Sequence, residues 1–197
     1  NPSSTLIDFI YQDPYNFEKG GIKMNRKEFL NDYWSYYLML EKKFITALEY
    51  VELSDKNYPT YSNQFAALIQ SIGAELDSFF KVYCGYNPAD RKNIVDYATF
   101  ILNSYPDIKA QKVRVNEKDI EFAPYDGWDT AQAAQSLKWW QSFDSVKHSR
   151  VANFESASLE NCLNILSALY RLEMKKLSII TAGTAESDIP DHASDLF

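Results

Sequence analysis

Apolar side chains recur at steps of three and four along most of this chain, which is the spacing of a helix face. From Asn25 to Leu53 the stripe reads Phe29, Tyr33, Tyr37, Leu40, Phe44, Ala47 and Val51. Asn25 and Glu28 stand three residues apart, as in a capping box, so a helix of about seven turns is predicted there. Ser54-Asp55-Lys56-Asn57 and Pro59 end it. A second helix is predicted from a Thr60 cap to a left-handed stop at Gly85, with Tyr61, Phe65, Leu68, Ile72, Leu76, Phe79 and Tyr83 on one face. Asn87-Pro88 reads as the start of a third helix, with Pro in its first turn. Ile94, Tyr97, Ala98, Ile101 and Leu102 give its apolar face, and Tyr105-Pro106 its end.

The period then drops to two. Lys112-Val113-Arg114-Val115 and Ile120-Glu121-Phe122-Ala123 flank Asn116 to Asp119, which predicts a short hairpin inside an insertion of residues 107–130. Helical spacing returns from Ala133 through Leu137, Trp139, Trp140, Phe143 and Val146 to Arg150. A last helix, capped by Ser158, runs to about Leu177 and is apolar almost all round, as expected of a central core helix. The fold class is therefore all-α, a bundle of about five helices with a small β-hairpin insertion. Residues 1–24 read as an irregular lead-in, 25–177 as the helical domain and 178–197 as a polar tail.

Composition narrows the function classes. Of 197 residues, 46% are hydrophobic and 24% charged, the balance of a globular protein, and six Gly with seven Pro disfavour a turn-rich all-β fold. The net charge of -7 disfavours broad adhesion to nucleic acid or anionic lipid while leaving room for a local basic pocket. Cys84 and Cys162 lack metal-ligand spacing and sit among apolar residues, so both are expected as buried free thiols. With two histidines no histidine-rich metal site can be built, and neither metal nor cofactor is expected. No run approaches the ~18 apolar residues of a membrane span, and Asn1 to Ser4 show no secretory pattern. A cytoplasmic location without membrane contact is the expectation.

The segment with chemical content is Trp139 to Arg150. On a helix Asp144 and His148 are i,i+4 neighbours, so the carboxylate can fix the imidazole tautomer. Lys147 and Arg150 place two cations within a turn of that histidine, which suits an anion site with an acid/base group. The same cluster can instead serve the carbonyls and dipole of a helix C-terminus. Glu75 interrupts an apolar line of the second helix, and a buried carboxylate needs a cation or donor. Arg150 or Lys147 is the expected partner. Asp77 and Lys81 form an i,i+4 pair nearby. Asn161 and Asn164 lie on the apolar last helix and need backbone partners or the His148 segment. Trp140 can pack inward or meet a ligand, since the two indoles of the Trp139-Trp140 doublet diverge by about 100° on a helix.

The run Trp140-x-x-Phe143-Asp144-x-Val146-Lys147-His148-x-Arg150, followed by Phe154 and Ala157-Ser158-Leu159-x-Asn161, resembles a bacterial family of HEPN-like helical proteins. The helices around Asp32-Tyr33-Trp34 and Glu75-Leu76-Asp77 fit the same resemblance, which spans about residues 25–175. It implies a helical bundle that forms a homodimer and works in phage defence, abortive infection or a toxin–antitoxin-type system. It also implies a nucleotide-, RNA- or protein-partner-binding role, or a metal-independent endoribonuclease. Active relatives carry an Arg four to six residues before the His. Here those positions hold Asp144, Phe143 and Ser142, so the ribonuclease signature does not transfer. If catalysis is retained, His148 is the acid/base for a ribose 2′-hydroxyl, Lys147 and Arg150 hold the phosphate, and Asp144 or Glu75 orients or restrains them. Separately, Ala193-Ser194-Asp195-Leu196-Phe197 resembles, through Leu196 and Phe197, the peptide by which bacterial proteins bind the DNA polymerase sliding clamp. Its usual leading Gln is Ala193, and the same dipeptide can tuck back onto its own domain.

Overall fold

The computed structural model describes residues 24–197; the lead-in expected over residues 1–24 lies, but for its last residue, outside them. The first rod comprises α1 (Arg26–Phe29), a π-helical turn (Leu30–Trp34) and α2 (Ser35–Leu48). Asn25 caps it with the reciprocal bonds of the expected capping box, its side chain accepting from the Glu28 N–H and the Glu28 carboxylate accepting from the Asn25 N–H. The π turn inserts one residue into the helical ladder. Phe29, Trp34, Tyr37, Leu40 and Phe44 are all buried on the inner face. The rod stops at Leu48, short of the expected Leu53.

α3 (Asn63–Cys84) is capped by Ser62 rather than Thr60 and ends at Gly85, whose φ of 69° is the left-handed stop foreseen. Thr60 serves a different purpose: its carbonyl accepts from the Leu159 N–H at 2.8 Å, and Tyr61 bridges Ser158. α4 (Ile94–Ser104) begins later than expected, at a capping box of Asn93 and Asp96. Asn87 instead closes a tight turn, its side chain accepting from the Ala89 N–H at 2.9 Å. β1 (Val113–Arg114) pairs antiparallel with β2 (Glu121–Phe122) as the expected hairpin. α5 (Lys138–His148) and α6 (Leu159–Thr181) complete the bundle. Counting the interrupted rod once, the described residues form five α-helices and one small hairpin, an all-α bundle.

α3 and α6 form the central pair, and α3 also packs against α2, α4 and α5. The segment between α4 and α5 is built into the core: Ile108, Tyr125 and Trp128 have no exposed surface, and the Tyr125 hydroxyl donates to the Ala168 carbonyl of α6 at 2.9 Å. Cys84 and Cys162 are buried free thiols, and burial pushes both pKa values up. Among the described residues no helix is long and apolar enough to cross a membrane.

Candidate functional site

Phe143 and Val146 dock α5 onto α3, and Gly73 of α3 makes this possible. A Cβ at Gly73 would stand 2.2 Å from the Phe143 ring, so only hydrogen fits there. With that face inside, Asp144, Lys147, His148 and Arg150 all fall on the outer surface. His148 Nε2 lies 3.4 Å from Asp144 Oδ1, the i,i+4 pair read from the sequence. The His148 side chain keeps 72% of its surface exposed and Asp144 56%, so solvent reaches the ring.

Neither cation pairs with a carboxylate among the described residues. The Lys147 ammonium lies 5.4 Å from the centre of the Phe143 ring, one turn back. The Arg150 guanidinium sits 5.7 Å from the Phe154 ring, and its Nη1 donates to Asn63 Oδ1 at 3.3 Å. Phe154 meets Tyr61 edge-on at 5.2 Å, and Tyr61 is 44% exposed. The side-chain amide of Asn153 donates to the Ser145 and Ser149 carbonyls, both at 3.0 Å. That amide, rather than the basic cluster, serves the C-terminal turn of α5. The basic groups are left facing water beside an aromatic pair.

The other residues singled out from the sequence go elsewhere. Glu75 does not meet Arg150 or Lys147. It is half-buried between α3 and its neighbours, near Tyr33 and Glu173, and burial raises its pKa. Lys81 donates to the Pro88 carbonyl at 3.4 Å rather than pairing with Asp77, which lies beside the Tyr97 hydroxyl. Trp139 and Trp140 are both buried. The Trp139 indole donates to the Pro124 carbonyl at 2.6 Å, and Trp140 packs on Phe80 and Phe143. Asn161 donates to the Ser156 carbonyl and Asn164 to the Glu160 carbonyl, so both amides bind backbone and neither reaches His148.

Two buried carboxylates were not singled out from the sequence. Glu41 is 2% exposed and accepts from the Tyr37 hydroxyl at 2.7 Å, from the Ser194 hydroxyl, and from the Asp195 N–H at 2.9 Å. Its signal was present: Tyr37, Leu40, Glu41 and Phe44 share a face, just as Glu75 interrupts its own. Glu173 on α6 has no exposed surface, and neither of its oxygens has a hydrogen-bond partner among the described residues. Burial, with Glu75 beside it, raises its pKa well above the ordinary carboxylate value. Among the described residues no group of three or more His, Cys, Asp or Glu side chains is placed to hold a metal ion. Leu196 is buried and Phe197 packs on Tyr170 at 5.2 Å, so this dipeptide lies against its own domain. No family model, no curated protein and no solved structure matches this chain.

Proposed function

We propose that this protein is a HEPN-like binding component of a bacterial defence or toxin–antitoxin-type system, and that it holds a phosphate-bearing ligand, RNA or nucleotide, at the end of α5. The observation that carries this reading is the pair Lys147 and Arg150, exposed and without a carboxylate partner among the described residues, beside exposed His148. Two cations and an imidazole can meet one phosphate through charge-assisted hydrogen bonds. Tyr61, exposed next to Phe154, offers a face on which an adjacent base can stack. The overall charge of -7 opposes loose adhesion, so binding rests on this patch.

The test is anisotropy of a labelled single-stranded RNA titrated with wild type and with Lys147→Ala/Arg150→Ala. Hydrogen bonds to charged groups contribute about 1.5–3 kcal/mol each, so a loss of tenfold or more is expected. Equal binding by the two proteins would overturn the reading.

One observation favours a second reading, a metal-independent endoribonuclease: the His148 ring is reachable and has Asp144 at 3.4 Å. In that chemistry neutral His148 takes the ribose 2′-hydroxyl proton and the oxygen attacks the adjacent phosphorus. The phosphorus–5′-oxygen bond breaks, the 5′-oxygen takes a proton from water, and a 2′,3′-cyclic phosphate is left. RNA cleavage in EDTA that disappears in His148→Ala would support it. A wild type that binds RNA and leaves it intact would exclude it as this protein's own activity.

A further inference from the structure

After α6 the chain turns back and lies as a strap of turns and bends against the first rod. Over residues 182–186 the hydrogen bonds are local: the Thr184 N–H donates to the Thr181 carbonyl and the Glu186 N–H to the Thr184 hydroxyl. From Ser187 onward the strap is held by groups far away in sequence. The Arg26 guanidinium donates to the Ser187 carbonyl at 2.9 Å, the Ile189 carbonyl at 2.8 Å and the Asp191 carboxylate at 2.7 Å. The Trp34 indole donates to the His192 carbonyl at 2.8 Å. Glu41 takes the Ser194 hydroxyl and the Asp195 N–H. Asn116, in the hairpin turn, donates its backbone N–H to the Leu196 carbonyl at 2.8 Å and its side-chain amide to the Asp195 carbonyl at 3.2 Å. Leu196 is buried, and Phe197 lies on Tyr170.

This arrangement has the anatomy of peptide recognition. Main-chain carbonyls are read at intervals along the segment, a buried carboxylate reads one hydroxyl and the following N–H, and two apolar side chains fill the end. The Ser194 hydroxyl also accepts from the Phe197 N–H at 2.8 Å, which curls the segment so that its Leu-Phe pair turns inward. Apart from Tyr37, the donors that satisfy Glu41 come from the strap. With the strap lifted, Glu41 keeps the Tyr37 hydroxyl and gains water, and a peptide carrying the same hydroxyl and N–H restores the strap's bonds. The π turn contributes by presenting Trp34 to the strap.

We propose that this groove is a peptide-docking surface for a partner carrying a Ser-Asp-Leu-Phe segment curled in the same way, and that residues 187–197 are its built-in competitor. A tethered segment acts at an effective concentration of about millimolar, so the intact chain masks the groove from dilute partners. The probe is a fluorescein-labelled peptide of the sequence Ser187 to Phe197. It is titrated against the wild type and against Ser194→Asp, whose new carboxylate repels Glu41 and opens the strap.

The expected result is binding to Ser194→Asp at least tenfold tighter than to wild type, and at least tenfold weaker binding when the peptide itself carries Asp at that serine. If a folded Ser194→Asp binds the peptide no better than wild type, or does not distinguish the two peptides, the proposal falls. Should Ser194→Asp fail to fold, the Leu196→Ala/Phe197→Ala chain opens the same groove by removing its apolar anchors, and the same comparison decides.

Discussion

Glu173 concentrates the residue-scale consequences of this fold. Its carboxyl is wholly buried on α6 with no donor among the described residues, and Glu75, Tyr33 and Tyr37 are titratable groups that act on it or are acted on by it. An isolated buried carboxylate is costly, so the group stays protonated at pH values where an exposed glutamate has ionised. The folded pKa is raised above the unfolded one. The stability it confers is therefore fully present below the unfolded value of about 4.3, and it falls as pH rises toward the folded pKa, by about 1.4 kcal/mol per pH unit. Glu173→Gln keeps the shape and removes the titration. Thermal melts should show the variant more stable than wild type at pH 7 and equal to it near pH 4. A wild type already the more stable at pH 7 would mean that the carboxylate has a cation or donor. The sequence flagged Glu75 by the same reasoning but not Glu173. Glu173 stands near Lys175 and Lys176, where an all-apolar helix already turns polar, so its burial could not be read from local pattern.

At the scale of elements, local chemistry located the helix ends well where caps acted alone. The Asn25 capping box, the Gly85 stop and the Ser158 cap all stand where the residues put them. It misplaced ends where a side chain had another use. Asn87-Pro88-Ala89-Asp90 has the composition of a helix start, yet the Asn87 N–H donates to the Asp90 carboxylate and the Ala89 N–H donates back to Asn87. These bonds satisfy the backbone as a turn and compete with helix. Asn93→Ala should therefore cost about 1 kcal/mol in denaturant unfolding, the usual cap penalty, with Asn87→Ala costing clearly less. The opposite ranking would return the start of α4 to Asn87.

Thr60 was displaced by a long-range pairing with the start of α6, which no local pattern reveals. Gly73 gave no signal in the hydrophobic stripe, although α5 is seated through it. Gly73→Ala should destabilise by about 1–3 kcal/mol through overpacking against Phe143, despite alanine's helix preference of roughly 1 kcal/mol. Adding Phe143→Ala should remove most of the clash, giving a non-additive cycle. Additive losses would show that the two helices do not touch there.

Across the whole molecule, the sequence placed Asp144 and His148 side by side because helical spacing alone governs that pair. It could not show that Lys147 and Arg150 rest on Phe143 and Phe154, nor that Asn153 takes over the C-terminal carbonyls of α5. Those facts depend on how the chain turns after His148. Together they leave two cations on the outside of an acidic protein, and this is the physical basis of the proposed function. Both side chains are exposed, so Lys147→Ala/Arg150→Ala should change folding stability by no more than about 0.5 kcal/mol per site. A loss of several kcal/mol would identify a buried pair instead.

The most direct measurement is the salt dependence of single-stranded RNA binding by wild type and by Lys147→Ala/Arg150→Ala. Releasing the counterion of the one phosphate held there gives a slope of log affinity against log salt of about -0.7. The account predicts that slope for wild type and a slope near zero, with weakened binding, for the double variant. Identical slopes and affinities in the two proteins would contradict it and place any nucleic-acid contact away from the end of α5.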